Sequence, residues 1–202
     1  MKIQKFDDQE SWMMARRGKI TGSRLKDILV KRGTNKKIGF YELIAERLGI
    51  PADGELAMDR GHRLEQEAID VFTKETGKKV DTSLVIWMRE DNEAIAISPD
   101  GVIGKTAAVE VKCLSSARHI EAVLTGKIPS DYEEQVTQYF VVNDALKTLY
   151  FVFYDPRLLA KPFYMIEVKR DESMQTEVQA MLDYQRNTLA EVEEIVNKLS
   201  GF

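Results

Sequence analysis

The chain has one cysteine and two histidines among its 202 residues. A single thiol, Cys113, cannot close an internal disulfide, which fits a reducing compartment. His62 and His119 are too few for a histidine-rich nuclease centre or the usual zinc sites. No run approaches the ~18 to 20 uncharged apolar residues that span a bilayer, and the opening MKIQKFDDQE lacks the apolar core of a secretory signal. The expectation is therefore a cytoplasmic protein with no membrane partner. Gly104-Lys105-Thr106 lacks the upstream glycine of a phosphate loop and reads as a turn. There is no internal repeat, no low-complexity tract and no linker long enough to divide the chain, so one domain is expected over 1–202.

Positive charge is also scarce overall. The net charge of −4 excludes a protein that coats nucleic acid over its whole surface. The average hides an asymmetry: from Arg16 to Lys37 nine basic residues stand against Asp27 alone, and from Asp171 to Glu194 seven acids stand against Arg186 alone. The first segment is expected to meet phosphate and the second to face away from it; the plainer reading is two solvated faces.

What is present reads as a mixed α+β protein with a central mixed β-sheet flanked by helices. Helices are predicted over 11–17, 22–30, 40–48 (stopped by Gly49 and Pro51), 58–76, 117–124, 130–143 and 172–199, with a loop over 54–57. Strands are predicted over 83–88, 94–98, 107–113, 149–154 and 163–168, the first three spaced as an antiparallel meander. The chain thus divides into a helical N-terminal region over 1–57, a core over 58–170 and a C-terminal helix over 171–202. That helix carries Val178, Leu182, Leu189, Val192, Val196 and Leu199 in a 4,3 rhythm with Gln185 in the one polar slot, a seam that wants a partner. Packing on its own sheet or contact with another subunit would each satisfy it.

The chemistry gathers in SPDGVIGKTAAVEVK, from Ser98 to Lys112. Period two in a strand puts Glu110 and Lys112 on one face and Val109 and Val111 on the other, with Asp100 in the turn before them. Asp100 and Glu110 are oxygen ligands suited to Mg²⁺ or Mn²⁺, and the Val111 carbonyl offers a third. Lys112 beside an attacking water favours its loss of a proton. A hard cation, an activated water and charge stabilisation are what phosphodiester hydrolysis needs. The alternative is bland: Pro-Asp-Gly is a common turn, and Glu-x-Lys on an exposed strand is often only a surface ion pair.

Two further polar residues fall on packed faces. Glu65 lies at the border of the apolar stripe marked by Leu64, Ala68, Ile69, Val71 and Phe72, and Gln135 shares the packed side of its helix with Tyr132, Val136 and Tyr139. Buried structural hydrogen bonds are the competing explanation for each.

The ordered set Trp12-Met-Met-Ala-Arg16-Arg-Gly18-Lys-Ile20-Thr21-Gly-Ser23, Arg-Gly61-His-Arg-Leu-Glu65, Ser98-Pro99-Asp100-Gly101, Glu110-Val-Lys112 and Tyr132-Glu-Glu-Gln135 resembles the lambda-exonuclease family of phage recombination nucleases, within the PD-(D/E)xK superfamily. The likeness runs from Trp12 to Tyr154-Asp155-Pro156-Arg157. It implies a restriction-endonuclease-like core and a Mg²⁺-dependent exonuclease degrading one strand of duplex DNA from its 5′ end, with Mn²⁺ as a substitute. Asp100, Glu110 and the Val111 carbonyl would hold metal, Lys112 and Glu65 would handle the attacking water, and Gln135 would complete the site. Arg16, Ser23 and Ser98 would hold the terminal 5′ phosphate, and Arg118 would touch the DNA backbone. The resemblance also implies a homotrimeric ring around DNA, a single-strand annealing protein as partner, and action in the cytoplasm of a bacterial cell carrying the phage or prophage.

Departures exist. Gly22 replaces the alanine usual before the serine, which is expected to do little, and Gln138 stands one position away from the second glutamine of the best-known member, so it receives no role. A restriction-type endonuclease, a RecB-like domain and a catalytically silent DNA-end-binding module stay open as alternatives.

Overall fold

The computed structural model describes residues 1–30, 36–47, 59–114 and 116–201. One segment, TLYFVFY, is apolar at successive positions, the pattern of a strand covered on both faces. It forms β6 (Thr148–Tyr154), inside a four-stranded sheet ordered β4 (Gly101–Ile103), β5 (Ala107–Lys112), β6 and β7 (Phe163–Lys169). β5 and β6 run parallel and the outer pairs antiparallel, so the sheet is mixed as expected. A parallel pair needs a long crossover, and α5 (Ser116–Thr125) and α6 (Glu133–Val142) provide it.

The two faces of this sheet are covered by different helices. α4 (Asp59–Thr76) lays Ala68, Ile69 and Phe72 against Val109, Val111, Tyr150 and Val152. On the opposite face Ala108, Phe151 and Phe153 share a core with Val136, Tyr139 and Phe140 of α6. Each fully buried aromatic here contributes on the order of 1.5–3 kcal/mol by leaving water.

A second, antiparallel sheet is ordered β1 (Lys2–Phe6), β2 (Leu84–Met88), β3 (Ala96–Ile97). α1 (Gln9–Arg16) covers it, packing Trp12 and Ala15 on Ile86, Met88 and Ala96. Its start is fixed by Asp8, whose carboxylate accepts the Ser11 N–H at 2.8 Å.

Three expectations are corrected. The predicted meander is split, because 83–88 and 94–98 belong to the first sheet while β5 pairs with the unpredicted β4 and, in parallel, with β6. The N-terminal region over 1–57 is not wholly helical, since its first residues form β1. The C-terminal seam packs within the chain: α7 (Gln175–Ser200) buries Met181, Leu182, Gln185, Thr188, Leu189 and Val192, and it does so against α6 and α3 (Ile38–Arg47) rather than on a sheet.

The predicted helices over 22–30, 130–143 and 172–199 each open with a 3₁₀ turn, at Gly22–Arg24, Ser130–Tyr132 and Glu172–Met174. The α-helical portion of the first is α2 (Leu25–Ile28). The Gly49–Pro51 stop, the 54–57 loop and Met58 lie outside the described residues. Among the described residues no helix is long and apolar enough to cross a membrane.

The charge segments are not two independent faces either. Lys36 pairs with Glu191, Arg47 lies 3.7 Å from Glu193, and Arg24 forks onto the buried Glu46. Some of the basic segment therefore anchors α7 and α3 instead of meeting phosphate; Lys31 and Arg32 fall outside the described residues.

Candidate active site

Pro99 has no N–H to give a ladder, and between the end of β3 and the start of β4 the backbone of β5 loses its neighbour. The Asp100 side chain fills that gap: its Oδ2 accepts the Val111 N–H at 2.7 Å. Within a strand a residue's N–H and C=O leave by the same edge, so the Val111 carbonyl faces the side on which Asp100 lies. Gly101 follows because a β-carbon there would meet Val80 Cγ1 at 2.4 Å.

Glu110 and Lys112 share the α6 face, as the period of two requires. Glu110 is only 2% exposed. Its Oε1 accepts from Gln135 Nε2 at 2.6 Å and from Lys112 Nζ at 2.5 Å, and its Oε2 accepts from the Tyr139 hydroxyl. The surface-pair reading of Glu-x-Lys is thereby overturned. A carboxylate taken this far from water persists because three donors converge on it.

The electrostatics follow from this crowding. Burial, reinforced by Glu110 and Glu65, pushes the Asp100 carboxyl well above the usual carboxylate range. Burial pulls the Lys112 ammonium down, but Glu110 and Asp100 outweigh it and leave Lys112 above its ordinary value. Burial and the Glu110 carboxylate likewise hold the Tyr139 phenol protonated, as its donor role demands.

Two separate clefts border this centre. One, of about 200 Å³, is lined by Trp12, Glu65, Ile69 and Ser83 and ends at Asp100. The other, of about 210 Å³, is lined by Gly22, Ser23, Lys26, Lys112, Tyr132 and Gln135. Lys112 Nζ lies 5.2 Å from the Tyr132 ring centre at the mouth of the second.

Arg16 ends α1 beside both. Its guanidinium carbon stands 4.4 Å from the Trp12 ring centre, the Trp12 indole N–H donates to the Val85 carbonyl at 3.2 Å, and Arg16 Nη2 donates to Ser23 Oγ at 3.2 Å. Burial lowers the Arg16 guanidinium from its ordinary value, while Glu110 and Asp100 act the other way. Among the described residues four buried side-chain polar atoms have no hydrogen-bond partner; Arg16 Nε and Ser98 Oγ stand here, while His119 Nδ1 and Asn143 Nδ2 lie elsewhere. Such orphans cost free energy unless a ligand or water satisfies them.

The sequence-predicted residues are thus brought together in large measure. Asp100, Glu110, Val111, Lys112 and Gln135 form one connected centre, with Glu65 near Asp100 on the α4 side and Arg16, Ser23 and Ser98 on the α1 side. Arg118 stands apart, exposed on α5, paired with Glu121 at 3.2 Å and with Asp131 at 3.3 Å. Asp131 lies on the rim of the second cleft, which ties Arg118 to its edge.

Sequence reasoning placed Tyr139 only in the core. The signal that could have found it is its spacing from Gln135, one helical turn, which aims both at the same carboxylate. At Gly22 a β-carbon would meet Ile97 Cδ1, the movable end of its side chain, at 2.2 Å and Gln135 Cγ at 3.0 Å, so alanine fits there once Ile97 turns aside and Gln135 yields slightly. Cys113 is a half-buried filler whose thiol is raised to about 11 by burial, then by Glu65 and Asp100.

Whether the centre suits a cation is a question of lone pairs. Among the described residues no three His, Cys, Asp or Glu side chains form a ready metal cage. A carboxylate offers about four acceptor sites. Glu110 has committed three and Asp100 one, so each keeps some acceptor capacity. The donors are all oxygen, which matches a hard divalent ion.

The fold built in this way is that of the alkaline exonucleases. The chain superimposes on LHK-Exo in complex with dAMP at a TM-score of 0.79 with 30% identity, covering 96% of this chain and 99% of that one. The alkaline exonuclease LHK-Exo from Laribacter hongkongensis gives 0.79 with 29% identity and the same coverage. A phage-related exonuclease from Haemophilus somnus 129PT shares the fold alone, at 0.56 and 14% identity over 87% of this chain and 95% of that one. The YqaJ-like viral recombinase domain matches residues 11–146, and the chain belongs to that family. No curated protein sequence matches it. The lambda-exonuclease-like resemblance and the mixed α/β architecture both hold.

Proposed function

We propose that the chain is a Mg²⁺-dependent 5′-to-3′ exodeoxyribonuclease that digests one strand of linear double-stranded DNA from 5′-phosphorylated ends, leaving 3′ single-stranded tails for recombination by strand annealing. The observation that carries this reading is the pair of orphaned buried atoms, Arg16 Nε and Ser98 Oγ, beside the Asp100–Glu110–Lys112 centre. They are donors that an anion would satisfy, next to groups suited to phosphodiester hydrolysis. Membership of a viral recombinase family and the likeness to an alkaline exonuclease support it.

In this mechanism Asp100, Glu110 and the Val111 carbonyl would hold Mg²⁺, for which Mn²⁺ would substitute. The ion would supply charge neutralisation at the scissile phosphate and a more acidic attacking water. Lys112 orients that water and stabilises negative charge as its proton leaves, Glu65 takes up the proton, and Gln135 keeps the Glu110 carboxylate turned toward the centre. Arg16 grips the terminal 5′ phosphate with Ser23 and Ser98, and its planar fork suits two phosphate oxygens at once. Polarity then becomes a binding problem, since only a strand beginning with a free phosphate fills the pocket. Arg118 contacts the backbone further along. Three copies forming a ring would put the basic N-terminal segment toward DNA and leave net negative charge outside, with a single-strand annealing protein taking over the tails.

The test is digestion of one plasmid in linear and covalently closed form. Mg²⁺ or Mn²⁺ should support loss of the linear form only, and chelation should stop it. Nicking of the closed circle would favour an endonuclease, full activity in chelator would remove the metal, and an unreactive linear form under every condition would leave a silent end-binding module.

A further inference from the structure

α6 carries a second glutamine that the centre does not use. Gln138 is fully buried, and the two hydrogens of its Nε2 are shared among three acceptors, the Ile20 carbonyl at 3.3 Å, the Ala96 carbonyl at 3.1 Å and Gln185 Oε1 at 3.0 Å. Gln185, fully buried on α7, returns a bond from its Nε2 to Gln138 Oε1 at 2.7 Å. Two amides in reciprocal pairing leave neither side free to flip, so the position of the Gln138 NH₂ is fixed from behind by α7.

The two carbonyls it holds are not arbitrary points. Ile20 and the β3 segment already meet in a small parallel bridge, with Ile20 N–H on the Ala94 carbonyl at 2.7 Å and Ala96 N–H on the Ile20 carbonyl at 3.0 Å. Immediately after Ile20 come Thr21, Gly22 and Ser23, and two residues after Ala96 comes Ser98, followed by Pro99 and Asp100. Ser23, in the 3₁₀ turn Gly22–Arg24, and Ser98, just past β3, therefore stand on separate segments, and Gln138 is a side chain that ties the root of each to the helix bearing Gln135 and Tyr139. An apolar side chain would fill this space without holding either loop. Burying one amide on α6 and another on an α7 face that also carries Met181, Leu182, Thr188, Leu189 and Val192 needs a reason beyond packing.

We infer that Gln138, locked by Gln185, is a positioning residue that sets the separation of Ser23 and Ser98 and so shapes the pocket for a terminal phosphate. The inference rests on the reading of Arg16, Ser23 and Ser98 as that pocket. Lys112 and Glu110 ride on β5, which the clamp does not touch, but the Ala96 root leads through Ser98 to Asp100, so loss of the clamp should show in the preference between end types over and above any equal slowing of both ends.

The experiment compares linear duplexes ending in 5′ phosphate or 5′ hydroxyl, cut by the wild type, by Gln138→Met, by Gln185→Met and by the double variant. The double variant leaves neither amide stranded, so it keeps the test alive should a single variant fail to fold. The expected result is a folded double variant whose KM for phosphorylated ends rises about tenfold or more, with the phosphate-to-hydroxyl preference falling by a similar factor. Because both glutamines serve one clamp, the double variant should lose no more preference than Gln138→Met alone. A folded double variant with wild-type KM and wild-type preference overturns the inference, as does a rate loss equal on both ends. Absence of any phosphate preference in the wild type would instead overturn the pocket reading beneath it.

Discussion

Replacement of Glu110 separates the chemistry of the site from its architecture. Three donors converge on this carboxylate: Lys112 at 2.5 Å, Gln135 at 2.6 Å and the Tyr139 hydroxyl. In Glu110→Ala the buried hydroxyl of Tyr139 and the buried amide of Gln135 lose their acceptor, at about 1–3 kcal/mol each. The sum, about 2–6 kcal/mol, is a large share of the ~5–15 kcal/mol that holds an ordinary domain together. Glu110→Gln differs: its amide oxygen still accepts from Lys112 and Gln135, and its NH₂ can donate to a Tyr139 hydroxyl that turns round. What is lost is the charge assistance, about 1–2 kcal/mol, or roughly 2–8 °C in melting temperature for a chain of this length. As a proposed metal ligand, however, the residue cannot give up its charge, and turnover should fall about a thousandfold or more, some 4 kcal/mol in the barrier. Melting followed by circular dichroism and single-turnover digestion of a 5′-phosphorylated duplex in Mg²⁺ read the two effects separately. A Glu110→Gln protein that keeps more than about a tenth of wild-type turnover would refute the reasoning.

Other expectations follow from the same geometry. Arg16→Ala should remove most of the preference for phosphorylated over hydroxyl ends, with Arg16→Lys intermediate because it keeps the charge but loses the planar fork and the stacking on Trp12; competition between the two end types measures it, and an unchanged ratio sinks the role. Gly22→Val places a β-carbon 2.2 Å from Ile97 Cδ1 and 3.0 Å from Gln135 Cγ and adds two methyl groups to it, so activity should drop about tenfold or more through displacement of Gln135. A Gly22→Val enzyme with normal turnover would show that the contact is soft. With its thiol at about 11, Cys113 should be alkylated at pH 8, without divalent ions, about a hundredfold more slowly than an unperturbed cysteine; labelling at the free-thiol rate would contradict its burial.

The grouping of Asp100, Glu110 and Lys112 was legible because strand periodicity is local. Alternation alone puts Glu110 and Lys112 together and hands Val109 and Val111 to the other side, where α4 covers them. Helix phase did the same for Gln135 and for Glu65. What escaped depended on partners distant in the chain. β1 is a polar strand whose only signal is its pairing with β2, and β4 is three residues long, held between β5 and an isolated bridge from Asp81 to Val102. The parallel β5–β6 pair joins segments separated by two helices, so no spacing rule announces it. Tyr139 looked like core because its ring is core; only its hydroxyl belongs to the site. Gln185 read as the polar slot of an apolar series and Gln138 as a glutamine without a role, and only together, through the packing of α7 on α6, do they become a clamp. The basic and acidic segments misled for the same reason, since Lys36 and Glu191 are far apart in sequence and adjacent in space.

The central claim, hydrolysis that starts at a phosphate held by Arg16 beside Asp100, Glu110 and Lys112, is met most directly by a linear duplex carrying a 5′ phosphate at one end and a 5′ hydroxyl at the other, each strand labelled separately. With Mg²⁺, the phosphorylated strand should shorten from its 5′ end while its complement stays whole. Loss from a 3′ end, or equal loss of both strands, would contradict it.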